Sequence, residues 1–175
     1  MKFTTLALSS LMLLAAASTP ATAGVFVYNI VLGGNQSVAA NASTASGTAS
    51  VTVDDVANTV SVVLNFSGLT GGNASAAHIH CCVATTANGP VIIPLTNFPL
   101  TTSGTYSNTF PNVSILNIAG IKGGLAYINI HNAGFGGGEI RGDIVTPEPA
   151  TLSLLGLGAL VMVGVGARRK RQSIR

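Results

Sequence analysis

The middle of the chain alternates apolar and polar side chains with a period of two. In its first segment Tyr28, Ile30 and Leu32 fall on one side, while Asn29 falls on the other. Successive strand residues point to opposite faces, so this pattern predicts strands with one face buried. Clusters of Gly, Asn and Pro separate the segments. The predicted strands are 25–32, 47–54, 58–66, 76–80, 91–95, 104–110, 125–131 and 139–145.

Residues 113–121 are the one internal segment that we predict as a short helix. About eight short strands with regularly spaced turns are typical of an antiparallel sandwich or barrel. We place this domain at residues 24–146, between two end segments of different character. A stretch of that size is long enough to bury one hydrophobic core, and we find no internal repeat that would indicate a second.

Charge is scarce and lies mostly at the two ends. Charged residues make up 7% of the chain, so Ser, Thr and Asn must keep the domain surface soluble. Lys2 is near the start, and four consecutive basic residues are near the end: Arg168, Arg169, Lys170 and Arg171. The middle is net acidic, although the whole chain has a formal charge of +3. A nucleic-acid partner needs a basic face, so we exclude this class.

Residues 1–23 have the pattern of a secretory signal peptide. Lys2 precedes an apolar run, and Ala21-Thr22-Ala23 is a cleavage site of the small-x-small type. We expect cleavage between Ala23 and Gly24. The mature domain would then lie outside the cytoplasm.

Residues 147–175 have the pattern of a membrane-sorting tail. Pro147, Glu148 and Pro149 cannot extend a helix and predict a stiff, accessible linker. The uncharged residues 151–167 that follow predict a single transmembrane helix, and the basic residues after them predict a cytoplasmic end. In this order the three parts resemble the PEP-CTERM sorting signal of Gram-negative bacteria. The resemblance implies processing by an exosortase-type protease and delivery to the cell surface or the extracellular matrix; an uncut anchor is the alternative.

Three segments of the domain resemble the CHRD domain, first described in chordin. They are "LNFSGLTGGNASAAHIH", "GGLAYINIHNAGFGGGEIRGDI" and "YNIVLGGNQSVAANASTASGTASVTVD". The resemblance implies an immunoglobulin-like antiparallel β-sandwich and supplies no activity. In place of the Gly that commonly follows AHIH in that family, this chain has Cys81 and Cys82.

The three histidines are candidate metal ligands. His78 and His80 share one side of their strand, and a hairpin between the last two strands would bring His131 beside Glu139 and Arg141. One interpretation is a Zn or Cu site with His78, His80, His131 and Glu139 as ligands. The other is a set of polar groups that satisfy one another, with Glu139 paired to Arg141 or to a histidine. The positive charge of Arg141 would repel a metal ion beside it. We therefore favour the set of polar groups that satisfy one another, and we expect no resident cofactor.

Cys81 and Cys82 are the only cysteines of the chain. In an oxidising compartment we expect them in a vicinal or an intermolecular disulfide, while a contribution to the histidine site is a third alternative.

No nucleophile motif and no suitable carboxylate pair is present, so we expect no enzyme activity. The sequence therefore indicates an exported surface or matrix protein with a structural or adhesive role. Its expected partners are the inner membrane, the processing protease, and polysaccharide or surface proteins; a small metal-binding or redox domain is the alternative.

Overall fold

The computed structural model describes residues 24–145, which form eight strands, one α-helix and one turn of 3-10 helix. Each predicted strand is present, with ends within two residues of those expected from the sequence. In chain order the elements are β1 (Val25–Gly33), the 3-10 turn (Gly34–Gln36), β2 (Ser46–Asp54), β3 (Thr59–Ser67), β4 (Ala74–Cys81), β5 (Val91–Pro94), β6 (Gly104–Phe110), α1 (Ile115–Lys122), β7 (Ala126–Asn132) and β8 (Ile140–Ile144).

All eight strands pair antiparallel in a single sheet of order β5-β4-β7-β8-β1-β2-β3-β6. The prediction of an all-β fold is confirmed, but the prediction of a sandwich of two separate sheets is wrong. Strands β8 and β1 are joined through one residue pair, Gly33 with Arg141. Gly142 permits this joint, because a Cβ on it would lie 2.7 Å from the carbonyl oxygen of Val31. A joint of one pair leaves no periodic signal in the sequence, so only the structure shows it.

The sheet curls until its two edge strands approach each other. The hydroxyl of Tyr106 on β6 donates to the carbonyl of Thr96, just after β5, at 3.0 Å. The ring of Phe98 lies 5.4 Å from that of Tyr106 and 5.1 Å from that of Phe66. The inward faces of the strands therefore enclose one core, whose fully buried members include Tyr28, Leu32, Val51, Val62, Leu64, Ile79, Ile128, Ile130, Ile140 and Ile144.

Helix α1 packs on this core through two residues one turn apart, Ile118 and Ile121. Ser114 caps its start, since the side-chain oxygen accepts the backbone N–H of Leu116 at 3.3 Å. At the other end the ammonium of Lys122 pairs with Asp55, in the turn between β2 and β3. The helix is thereby fixed at both ends relative to the sheet.

The predicted end segments lie outside the described residues: the signal peptide, the Pro147, Glu148 and Pro149 motif, the apolar segment 151–167 and the basic cluster. From residue 24 to residue 145, no helix is both long and apolar enough for a membrane span. Gly24, the first residue after the predicted cleavage point, donates its N–H to Asp55 Oδ1 at 2.7 Å.

Strands β4, β7 and β8 are covered on both faces. Their inward side chains are apolar, whereas their outward side chains form a polar face: His78, His80, Tyr127, Asn129, His131, Arg141 and Asp143. Loop segments fold over this face, so most of its residues are buried although they point away from the core. The candidate functional site lies here.

Candidate metal centre

The strand register brings the three histidines together. His78 and His80 lie on the outward side of β4, and the pairing of β4 with β7 sets His78 opposite Asn129 and His80 opposite Tyr127. His131 is two residues beyond Asn129 and so points to the same side. His78 and His80 are therefore neighbours through their spacing on β4, and the pairing of β4 with β7 brings His131 to them.

The three imidazoles are close enough to share an ion. One ring nitrogen of each lies within 4.8 Å of the other two, and no Cys, Asp or Glu of the described residues joins this group. The ring centroids of His78 and His131 are 5.0 Å apart, and those of His78 and His80 are 5.5 Å apart. Around a tetrahedral Zn²⁺ with Zn–N bonds of about 2.0–2.1 Å, nitrogens lie about 3.3 Å apart. Side-chain shifts on the order of 1 Å would achieve this.

Backbone carbonyls fix which nitrogen of two rings is free. His80 Nδ1 lies 2.8 Å from the carbonyl of Gly89, and His131 Nδ1 lies 2.8 Å from the carbonyl of Gly136. A carbonyl can only accept, so each Nδ1 carries a proton and donates it. In a neutral ring the Nε2 atom then holds the lone pair, which is the state that a metal ligand needs.

The nitrogens left over are buried and have no hydrogen-bond partner. These atoms are His78 Nδ1, His80 Nε2 and His131 Nε2. Buried polar atoms in folded proteins are nearly always paired, because an unpaired one keeps the full cost of its desolvation. Three such nitrogens, one from each ring, make the cluster a candidate binding site for a cation.

The electrostatics favour the uncharged form of His78 and His131. Burial lowers the pKa of His78, and the neighbouring imidazoles of His131 and His80 lower it further. Burial also lowers the pKa of His131, and it outweighs the hydrogen bond to Gly136, which acts in the opposite direction. Neutral rings are the form that coordinates a cation, so no proton has to be displaced from these two residues near neutral pH.

The covering loop, residues 82–90, closes over the polar face from the end of β4. The N–H of Gly89 donates to the hydroxyl of Tyr127 at 3.1 Å, and its carbonyl holds His80 as described above. The guanidinium of Arg141 donates to the carbonyls of Thr85 and Ala87 at 2.6 Å and 3.1 Å. One loop therefore connects a histidine, a tyrosine and an arginine of the face.

Arg141 does not add an unpaired positive charge to the cluster. Its guanidinium pairs with Asp143 at 2.9 Å and lies 3.5 Å above the ring of Tyr127. The same ring stacks on His80, with centroids 4.7 Å apart and planes 3° apart. Arg141 thus has an anion, two carbonyls and an aromatic face as partners, which removes the main argument from sequence against a cation nearby.

Glu139 has a different environment from the one predicted. Its carboxylate accepts hydrogen bonds from Ser43, Thr70, Gly71 and Asn132, and pairs with neither Arg141 nor a histidine. Desolvation acts to raise its pKa, but the hydrogen bonds from Ser43, Thr70 and Asn132 outweigh it and lower the pKa to about 2. Glu139 is therefore an anchor for the loops before β2 and β4, and the structure does not bring it into the histidine group.

This carboxylate gives the fold a defined acid sensitivity. The pKa of Glu139 is about 2 in the folded protein, whereas an ordinary glutamate has a pKa of 4.5, so the unfolded chain takes up the proton first as the pH falls. The ionised carboxylate of Glu139 contributes about 3 kcal/mol to the free energy of unfolding. This contribution is complete above pH 4.5 and is lost as the pH falls towards 2. Urea unfolding of the wild type and of Glu139→Gln at several pH values checks this, since the variant should lack that part of the decline. Parallel pH curves for the two proteins would contradict it.

The structure joins Cys81 and Cys82 to each other in a vicinal disulfide. Cys81 points into the core and is fully buried, while Cys82 is exposed at the start of the covering loop. Neither sulfur belongs to the histidine group. The sulfurs pack instead on helix α1, where a Cβ on Gly120 would lie 2.6 Å from Cys82 Sγ.

Several residues of the site were not assigned a role from sequence. Tyr127 stacks between His80 and Arg141, and the carbonyls of Gly89 and Gly136 orient two ligands. Asn129 is 2% exposed, and its Oδ1 is also buried without a partner. The period of two places Tyr127 and Asn129 on the face of His131, but nothing local indicates which loop carbonyls reach the rings.

Comparison with known proteins agrees with the two resemblances. Residues 28–144 match the CHRD domain, and residues 145–171 match the PEP-CTERM protein-sorting motif. No curated protein and no solved structure matches the chain. The sorting motif supports an exported cell-surface protein, implies association of the signal with the membrane, and implies exosortase-type processing. With the CHRD match covering more than half of its length, the chain belongs to the CHRD-domain family and carries a PEP-CTERM sorting motif.

Proposed function

We propose that the exported domain binds one Zn or Cu ion through His78, His80 and His131. The observation that supports this is the set of three buried, unpartnered ring nitrogens, one from each histidine. Imidazole suits both metals, and a site without carboxylate or thiolate ligands does not favour Mg²⁺ or Ca²⁺. The role is binding rather than catalysis.

Three nitrogen ligands leave at least one coordination position for a water or another small ligand. Asn129 lies opposite His78 in the register, and its Oδ1 is a buried acceptor without a donor. It is therefore suited to accept a hydrogen bond from a metal-bound water. A groove of about 320 Å³ runs beside His78, lined also by Pro94, Phe98 and Leu100, and gives this side of the cluster access to solvent.

Metal analysis of the purified protein tests the proposal. The full chain is exported in a bacterial host, purified in mild detergent without a histidine tag, exposed to Zn²⁺ or Cu²⁺, desalted and analysed for elements. We expect about one equivalent in the wild type and none in the His78→Ala, His80→Ala double variant. The chain contains only three histidines, so a residual imidazole site cannot confuse the result.

Thr48→Ala is the control, because Thr48 is an exposed residue on the outward face of β2, outside the histidine cluster, and its substitution leaves all three ligands in place. It should retain its equivalent of metal. Bound metal should also raise the melting temperature of the wild type and of this control, since a ligand that binds only the folded state stabilises it. A folded wild type that retains neither metal would overturn the proposal.

A structural or adhesive role at the cell surface or in the polysaccharide matrix is the second function we propose. The outward faces of β2, β3 and β6 favour it, because they carry exposed hydroxyl and amide side chains and, apart from Asp54 at the end of β2, no charge. The exposed polar residues are Thr48, Asn65, Thr105, Ser107 and Thr109. Such groups hydrogen-bond to sugars without the desolvation cost of ions. Co-sedimentation of the exported protein with polysaccharide from its producing cells tests this, with Asn65→Ala, Thr105→Ala as the variant that should sediment less.

A further inference from the structure

We infer that the Cys81–Cys82 disulfide controls the metal centre, and that its reduction weakens metal binding by the three histidines. The inference rests on the proposed metal-binding function. It requires a path from the sulfurs to a ligand, a reason why reduction changes the local conformation, and access for a reductant. The structure supplies all three.

The path is short and continuous. His80, a ligand, is followed directly by Cys81, and Cys82 is the first residue of the covering loop. Seven residues later the carbonyl of Gly89 accepts a hydrogen bond from His80 Nδ1, with the nitrogen and the oxygen 2.8 Å apart. The loop therefore leaves the sheet beside one ligand and returns to orient the same ligand.

The backbone at Cys82 is held in an unusual conformation. Its φ is +74°, in the left-handed region that residues with a Cβ seldom occupy. Its N–H donates to the carbonyl of Leu125 at 2.9 Å, which ties the start of the loop to the segment before β7. A bond between the sulfurs of adjacent residues closes a small ring through this backbone, and opening the ring frees Cys82 to return to an ordinary conformation.

Packing adds a second reason for movement. Two separate thiols must stand farther apart than two bonded sulfurs, because they are then in van der Waals contact only. Gly120 of α1 already lies against both sulfurs, close enough that a Cβ there would overlap them. Cys81 is fully buried, so the exposed Cys82 is the residue that can move, and the covering loop moves with it.

Displacement of the loop affects the ligand through its tautomer. Without the Gly89 carbonyl, His80 Nδ1 has no acceptor. The ring is then no longer held in the orientation and tautomer that present an unprotonated Nε2 to the cluster. Loss of such a partner of a metal-bound histidine typically lowers metal affinity about 10–100-fold. We therefore expect reduction to weaken Zn²⁺ binding by at least about tenfold.

The redox step is ordinary thiol–disulfide exchange with a dithiol reductant. A thiolate of the reductant attacks the sulfur of the exposed Cys82, the bond between the two cysteine sulfurs breaks, and Cys81 leaves as a thiolate that takes up a proton. The second thiol of the reductant then attacks the mixed disulfide and releases Cys82 as a thiol. Two electrons and two protons pass to the protein, and the reductant ends as its own disulfide.

Zn²⁺ affinity in the two redox states tests the inference, since Zn²⁺ cannot itself oxidise thiols. The full chain is reduced with a dithiol, desalted without oxygen, checked by mass for the two added hydrogens, and titrated with Zn²⁺ against a chromophoric chelator. Weaker binding after reduction, restored when the disulfide is re-formed, supports the inference. Equal affinity in both states overturns it while the metal site stands, and no binding in either state overturns the proposed function as well.

A variant separates control by the disulfide from direct ligation by thiols. Cys82→Ser removes the disulfide and leaves Cys81 in the core, so its Zn²⁺ affinity should match that of the reduced wild type and should not respond to dithiol. Far-ultraviolet circular dichroism shows whether it is folded; if it is not, the reversible titration of the wild type still decides the matter. A folded Cys82→Ser protein with the affinity of the oxidised wild type would contradict the inference.

Discussion

Glu139→Ala should lower the free energy of unfolding by about 4 kcal/mol, the largest effect that we expect from a single substitution. The side chain is fully buried, and its carboxylate accepts from Ser43, Thr70, Gly71 and Asn132. The substitution leaves these donors without an acceptor inside the protein. Each unsatisfied buried donor costs about 1–3 kcal/mol, although loop relaxation recovers part of that cost. Urea denaturation at pH 7 measures the change.

Glu139→Gln is the matched control, since it keeps the size and shape of the side chain. It replaces one acceptor oxygen by a donor and removes the charge, so we expect a smaller loss of about 2 kcal/mol. Metal content should be unchanged in any fraction of either variant that is folded, because Glu139 lies outside the histidine group. Loss of metal from folded Glu139→Gln protein would show that this carboxylate is a ligand after all.

Arg141→Ala should lower the free energy of unfolding by about 3 kcal/mol and also weaken metal binding. The guanidinium is almost fully buried, with hydrogen bonds to the carbonyls of Thr85 and Ala87 and with its plane against Tyr127. Without it the covering loop loses two attachments, and the loop carries the carbonyl that orients His80. Urea denaturation and Zn²⁺ titration measure the two effects.

Arg141→Lys is the control for charge alone. Lysine keeps the positive charge near Asp143 but lacks the planar fork that reaches two carbonyls and stacks on Tyr127. Its stability should therefore lie between that of Arg141→Ala and that of the wild type, and the covering loop should be cut by proteases faster than in the wild type. Wild-type protease resistance of the loop in Arg141→Ala would show that other contacts hold it in place.

The fate of the polar residues shows where prediction from sequence was successful and where it failed. Alternation placed His78 and His80 on one side of β4 and predicted the β7–β8 hairpin, which the structure contains. It also placed Glu139 and Arg141 on one face, and from this their mutual pairing was a reasonable hypothesis. The hypothesis was wrong because both side chains find partners in loops, which have no periodicity that reveals their path.

The same contrast holds for the choice between a metal site and a self-satisfied polar cluster. Sequence favoured the self-satisfied cluster, since Arg141 was expected beside the histidines. In the structure Arg141 and Glu139 are indeed satisfied by other protein groups, whereas each histidine keeps one buried nitrogen without a partner. The interpretation as a self-satisfied cluster therefore holds for Arg141 and Glu139, and the metal site is our proposal for the three imidazoles.

The strands, the all-β class and the sorting motif could be predicted from sequence, because each depends on neighbouring residues: side-chain alternation, or the order of a tripeptide, an apolar run and a basic cluster. The folded protein was needed to show that the strands form one curled sheet and that residues 82–90 cover the polar face, and to confirm that His131 lies beside His78 and His80. These features depend on contacts between residues far apart in the chain. Such contacts are selected by the packing of the whole core and by the need to pair every buried polar group, and no local pattern encodes either condition.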